Sequence, residues 1–156
     1  MAVPRTIFRA YDIRGVFGSE LTLETAERVG ATFAAYLASN GTSGRVCIGR
    51  DARTSSPDLE AAVVAGLRNG GCNVESVGMV PIPVANWWTW RGDFAAGVYV
   101  TASHNPAEYN GIRFRHPDGT GFTDGNSKIR VLFFAGEPAA ASIRGSLTRI
   151  PETEVL

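Results

Sequence analysis

The sequence predicts an α/β fold in which helices cover both faces of a β-sheet. Short β-branched or apolar runs alternate with longer stretches whose apolar residues recur every three or four positions. Each run is punctuated by Gly, Pro or Asn-Gly. Strands that alternate with helices in this way bury a sheet between two helical layers.

The chain opens with a short extended segment, Ile7 to Tyr11, and Asp12-Ile13-Arg14-Gly15 reads as a tight turn. In the first helix Leu23, Ala26, Val29, Gly30, Phe33, Ala34 and Leu37 share one face. Thr22 suits its N-cap, Glu24 and Glu27 complement the positive end of its dipole, and Asn40-Gly41 suits its stop. "RVCIGRD" (45 to 51) is a strand ending in Gly-Arg-Asp. Ser56-Pro57 opens a second helix, with proline at the first helical position and Asp58 behind it, running through Leu59, Val63 and Leu67 to Gly70-Gly71. "CNVESVG" (72 to 78) is the next strand, and a short helix with Trp87, Trp88 and Trp90 follows Pro81-Ile82-Pro83. "AAGVYVT" (95 to 101) is the third core strand and "GIRFRH" (111 to 116) a fourth. Asp118-Gly119 marks a turn, and Ile129, Leu132 and Phe133 give the last helix its apolar face. Periodicity is lost from Glu137, so residues 1–136 are expected to form one domain and 137–156 a linker or tail.

A length of 156 residues suits one domain with a real core, and 44% hydrophobic with 19% charged residues is an ordinary globular composition. Fifteen basic and fifteen acidic residues cancel, so no global field draws in nucleic acid or an acidic membrane, and neither is an expected partner. Fourteen of the fifteen cations are arginine, Lys128 being the exception, which bears on Arg113 below. Cys47 and Cys72 fall in strand-like segments without zinc-site spacing and read as buried thiols of a reducing compartment. The N-terminus has no apolar leader core, and no stretch is long enough to span a bilayer. A cytoplasmic protein is expected.

In α/β sheets ligands gather beyond the carboxyl ends of the strands. Three polar clusters fall there: Tyr11 to Gly15, Gly49 to Ser56 and Thr101 to Gly111. Their coincidence points to a single site. Ser103, His104 and Asn105 follow directly on Val98-Tyr99-Val100-Thr101, and Pro106 stops the chain. A serine takes part in chemistry only with a base, or with a phosphoryl group already on it. Adjacent backbone N–H groups, His104 and Asn105 suit phosphate oxygens around Ser103, and Arg14 suits their charge. Spacing alone also allows blander roles. By spacing alone the Ser-His-Asn triplet is more often a turn than a site, and Arg14 reads equally as a local ion pair with Asp12. Arg50, Asp51 and Arg53 are read as fixing the loop into the second helix, the tryptophans as core or interface, Asn110-Gly111 as a turn pair and Lys128 as solvated. No Gly-x-Gly-x-x-Gly or Walker loop follows a strand, which disfavours a nucleotide-binding domain.

"FRAYDIRG", "IGRDARTSS", "VPIP" and "TASHNPAEYNGIRF" occur in the order and spacing of the α-D-phosphohexomutase family. From about Ile7 to Phe134 the chain resembles the N-terminal domain of the phosphomannomutase/phosphoglucomutase branch. The resemblance implies a mixed sheet between helices, the first of four domains around a cleft. It implies that Ser103 is a phosphoserine that passes its phosphoryl group to a hexose phosphate through a bisphosphate intermediate, with glucose or mannose 1,6-bisphosphate as activator. It further implies Mg²⁺ with a Ser103 phosphate oxygen as one ligand, His104 near the substrate hydroxyl and Arg14 by the phosphate.

Three departures shape these expectations. The family's metal-binding aspartate loop, sugar-selecting loop and distal phosphate-binding loop have no counterpart here, so the chain is expected to be a fragment, inactive alone and completed by the remaining domains of a parent enzyme. Arg113 stands where the family pattern usually has lysine as the candidate acid/base. A guanidinium keeps the charge but is a poor proton shuttle, so Arg113 is expected to act as an electrostatic clamp. Ile82 replaces the usual threonine of "VPTP" and is assigned no catalytic meaning. "TASHNP" fits the mannose/glucose branch better than the phosphoglucosamine one, whose motif usually begins Ser-Ala-Ser. The alternative reading is a non-catalytic phosphosugar- or phosphate-binding module.

Overall fold

The computed structural model describes residues 2–42, 44–123 and 125–156. A 3-10 turn at Arg5–Ile7 leads to strand β1 (Ile13–Val16), helix α1 (Leu23–Ser39), β2 (Arg45–Arg50), α2 (Ser56–Asn69), β3 (Asn73–Met79), α3 (Ile82–Arg91), β4 (Ala96–Val100), β5 (Tyr109–Arg115), α4 (Gly125–Ala135), β6 (Leu147–Arg149) and α5 (Glu152–Val155). The strands form one mixed sheet in the order β1-β5-β4-β2-β3-β6. β4, β2, β3 and β6 run parallel, while β5 pairs antiparallel with both β4 and β1.

Alternation along the strands divides the core. Val46 and Ile48 of β2 and Val98 and Val100 of β4 meet Val29 and Phe33 of α1, Leu59 and Val63 of α2, and Ile129 and Phe133 of α4. Cys47 and Tyr99 face the other way, into a smaller cluster with Val77, Val80 and Ala85 that Ile82, Trp88, Ile150 and Val155 complete. Both faces are therefore covered, as expected. α1 and α2 approach almost backbone to backbone, because a Cβ at Gly30 would lie 2.3 Å from the Val63 carbonyl oxygen and one at Gly66 1.9 Å from that of Glu27.

The helix ends follow the sequence signals. The Thr22 hydroxyl accepts from the Thr25 N–H at 3.1 Å. At the far end of α1, Gly41 at φ 68° lets Gly41 N–H reach Ala38 O and Thr42 N–H reach Leu37 O. Gly71 at φ 92° ends α2 in the same way.

Several local expectations are corrected. Ile7 to Tyr11 is not an extended run; it holds the end of the 3-10 turn and a single bridge from Phe8 to Ile13. Asp12 to Gly15 is not a tight turn, because Ile13–Val16 pairs with Ile112–Tyr109 as an edge strand. Asn110-Gly111 is not a turn pair either, since both lie inside β5, where a Cβ at Gly111 would meet Ile13 O at 2.5 Å and Thr101 O at 2.7 Å. Short strands with mixed polarity give little alternation to read, and Asn-Gly serves close strand approach as readily as a turn.

Residues 137–156 lose helical periodicity but stay on the domain. Ala141 and Gly145 donate to Asn69 O and Arg68 O at the end of α2, both at 2.8 Å, and β6 then extends the sheet alongside β3. No described helix is long and apolar enough to cross a membrane. Cys47 and Cys72 are buried and unpaired, and Lys128 is exposed. Trp88 packs in the smaller cluster, whereas Trp87 and Trp90 are exposed.

Candidate active site

All three polar clusters meet at one end of the sheet. β2 and β4 are parallel neighbours, so the residues that follow them leave the sheet side by side, and Asp51 N–H still reaches Val100 O at 3.0 Å. The Asp51 carboxylate then organises the crossing. It accepts from Thr101 Oγ1 at 2.7 Å, from Arg53 N–H at 3.0 Å and from the Ser56 hydroxyl at the start of α2. Thr101 Oγ1 in turn accepts from the Ser103 N–H at 3.0 Å.

Arg53 ties down the loop from Ser103 to Tyr109. Its Nη2 donates to the carbonyls of Ser103 at 3.0 Å and Asn105 at 2.7 Å, and its Nη1 to those of Pro106 at 2.8 Å and Tyr109 at 3.1 Å. Its Nε faces Asp51 at 3.4 Å. A fork of fixed donors suits converging carbonyls in a way that a lysine ammonium does not. Arg53, expected to fix the loop into α2, pairs with Asp51 in that loop and also ties down the loop that carries Ser103. Asn110 braces the base of the same loop, donating from Nδ2 to the hydroxyls of Ser55 at 2.8 Å and Ser56 at 3.0 Å.

So restrained, Ser103 sits at φ 55°, in the left-handed region that costs a non-glycine residue energy and is retained where neighbours over-determine it. Its side chain is exposed, and Arg113 on β5 donates from Nη2 to its Oγ at 2.7 Å. Behind them lies Asp12, 4% exposed. Its carboxylate takes a direct bond from Arg14 Nη2 and lies 3.7 Å from Arg113 Nε. Arg14 also donates from Nη1 to Asn105 Oδ1. The ion pair between Arg14 and Asp12 is thus real, and it also orients Arg14 toward the loop. His104 is exposed and forms no hydrogen bond among the described residues.

The structure therefore brings Ser103, Asn105, Arg14 and Arg113 into one cluster, with His104 next to it on the loop. Sequence reading missed Asp12 as the shared anchor of two arginines and Asn110 as a brace. Asp12 immediately precedes β1, two residues from Arg14, and that spacing in extended backbone was the available signal. Three guanidiniums (Arg14, Arg53, Arg113) stand against two carboxylates (Asp12, Asp51), each already paired with arginine. The surplus positive charge suits a phosphate.

The same balance decides against a metal site made by this chain alone. Among the described residues no three His, Cys, Asp or Glu side chains come together to hold an ion, and the groups nearest Ser103 Oγ are cationic. Among the described residues the donors present do not fit Mg²⁺.

Residues 5–139 match the family model described as phosphoglucomutase/phosphomannomutase, alpha/beta/alpha domain I. The chain belongs to that family. It is 44% identical over 130 residues to a protein named phosphomannomutase/phosphoglucomutase from Pseudomonas aeruginosa, covering 83% of this chain and 27% of the relative. It is 42% identical over 123 residues to one named "Probable phosphoglucosamine mutase" from Methanothermobacter thermautotrophicus, covering 79% of this chain and 27% of that one. Among solved structures, a phosphoglucomutase/phosphomannomutase family protein from Burkholderia thailandensis superposes with a TM-score of 0.84 at 30% identity, over 98% of this chain and 34% of that chain. The chain thus spans about a quarter to a third of the length of these relatives, as domain I of the family.

Proposed function

We propose that this domain is the phosphoryl-carrying part of a phosphohexomutase that interconverts hexose 1-phosphates and 6-phosphates of mannose or glucose. The observation that carries the reading is the pairing of a conformationally constrained, exposed Ser103 with a guanidinium on its Oγ. In the phosphorylated protein the bond from Ser103 Oγ to phosphorus would break as the bond from phosphorus to a sugar hydroxyl oxygen forms. Negative charge then develops on Oγ. Arg113 is aimed at that oxygen and would stabilise the charge, which is electrostatic catalysis without proton transfer. Arg14 and the loop N–H groups would hold the equatorial oxygens, and His104, free of other bonds, is the group on this chain suited to accept the sugar hydroxyl proton. That proton would pass on to Ser103 Oγ as the first transfer completes, before the bisphosphate intermediate reorients. The other phosphate of the bisphosphate intermediate goes back to the serine in the reverse sense, with glucose or mannose 1,6-bisphosphate serving as activator.

Mg²⁺ would need ligands from outside this chain beside a phosphate oxygen on Ser103. The remaining domains would also supply sugar selection, so the chain alone is expected to be inactive; turnover of glucose 1-phosphate by purified residues 1–156 would contradict this. Buried, unpaired Cys47 and Cys72 support a reducing, cytoplasmic setting. The second reading, a phosphate-binding module without catalysis, is favoured by one observation: the group on Ser103 Oγ is an arginine and not a titratable base.

The test is the full-length parent assayed with mannose, glucose and glucosamine phosphates. Ser103→Ala should abolish turnover on every sugar. A Ser103→Ala parent with full activity would exclude the phosphoserine role.

A further inference from the structure

On the α2 face of the sheet, remote from Ser103 in its lining, lies a cavity of about 240 Å³ between α2 and β6. Arg50, Arg68, Arg144 and Arg149 line it together with Glu60. Neither Ser103 nor any of Arg14, Arg53 and Arg113 does so. Two of the four guanidiniums are hydrogen-bonded through Nε, and a third has its Nε in ion-pair range of a carboxylate. Arg50 Nε faces Glu60 Oε2 at 3.4 Å, Arg68 Nε donates to Gly145 O at 3.0 Å and Arg144 Nε donates to Asn69 Oδ1 at 3.0 Å. No Nη atom of the four forms a hydrogen bond among the described residues. Arg149 comes from β6, two residues after Leu147 on the same side of the strand, which places it over the same cavity.

The lone carboxylate does not cancel this charge. Glu60 is 5% exposed, and its Oε1 already accepts from the buried Ser76 hydroxyl. What remains is a concave site with several guanidinium faces, pre-positioned and uncommitted. Like charges gathered in this way repel one another unless an anion joins them, and a planar fork binds phosphate oxygens two at a time. We infer that this cavity is a second anion-binding site, taking a phosphate or diphosphate group independently of Ser103. Two sources share that chemistry: a small soluble phosphorylated molecule and a phosphorylated lipid headgroup. Arg50 is followed directly by Asp51, the residue that organises the Ser103 loop, so an occupant would also sit one residue away from that network.

The test is calorimetric titration of the chain with pyrophosphate, and sedimentation with phosphatidylcholine vesicles with and without a phosphoinositide. Arg144 and Arg149 are exposed and their removal should leave the fold intact. The double variant R144A/R149A should weaken pyrophosphate binding by about tenfold or more, the loss expected for charge-assisted hydrogen bonds. The double variant S103A/R113A should retain a saturable pyrophosphate site. Pyrophosphate binding that R144A/R149A weakens and S103A/R113A retains, without co-sedimentation, assigns a soluble ligand. Co-sedimentation that depends on the phosphoinositide and is lost in R144A/R149A assigns a headgroup. Either supports the site. Absence of saturable binding in both arms, or binding unchanged in R144A/R149A, overturns it.

Discussion

Arg113 donates to Ser103 Oγ at 2.7 Å while its Nε faces the buried Asp12 carboxylate at 3.7 Å, so the residue that touches the candidate phosphoryl acceptor is anchored from behind by the same acid that orients Arg14. Asp12 is therefore expected to matter beyond its own charge.

Asp12→Asn should leave two partly buried guanidiniums without a neutralising partner. We expect a loss of about 2 kcal/mol in unfolding free energy, in the range for removing a buried charged partner, read by urea denaturation of the chain. An unchanged midpoint would show that the ion pairs are incidental.

Arg53→Ala removes four carbonyl contacts to the Ser103 loop. Amide exchange in residues 103–109 should accelerate relative to β4, and the parent enzyme should lose about a hundredfold in kcat through misplacement of Ser103. Exchange that stays slow would mean that Asp51 and Asn110 hold the loop unaided.

Arg113→Lys tests whether the arginine costs the site a proton shuttle. A lysine has a single nitrogen with which to reach both Ser103 and Asp12, so activity of the full-length parent should be unchanged or lower. A several-fold rise, with a new pH dependence in kcat, would show a base deficit that arginine leaves unmet.

The two thiols set an alkaline limit on stability. Burial pushes Cys47 up to about 12 and Cys72 up to about 11, from an ordinary value of 9.0. Both groups stay protonated in the folded chain where the unfolded chain ionises. Their contribution is complete below about pH 9 and is lost as pH rises through the folded values, so stability should fall with pH from about 9 upward. Cys47→Ala with Cys72→Ala should flatten that fall. At pH 8 the native chain should resist thiol alkylation.

The fold was most legible where a long apolar stripe met capping residues. Thr22, Asn40-Gly41 and Gly70-Gly71 delimit α1 and α2 because one residue at each end determines where orphan backbone groups find partners. It was least legible at the sheet edges. β1 and β6 are four and three residues long and have partners far away in sequence, so no local pattern encodes them. The site divides similarly. Ser103, Asn105 and Arg14 could be named from motif order. That Arg53 closes on four carbonyls around fifty residues away, and that Asp12 serves two arginines, are properties of packing that only the folded chain displays.

Whether Ser103 carries the phosphoryl group is decided by peptide mass spectrometry of the full-length parent after incubation with glucose 1,6-bisphosphate. One phosphoryl group is expected, localised to Ser103, transferred to hexose phosphate when that is added and absent from Ser103→Ala. Active enzyme with an unmodified Ser103, or with stable phosphate on another residue of the domain, would contradict it.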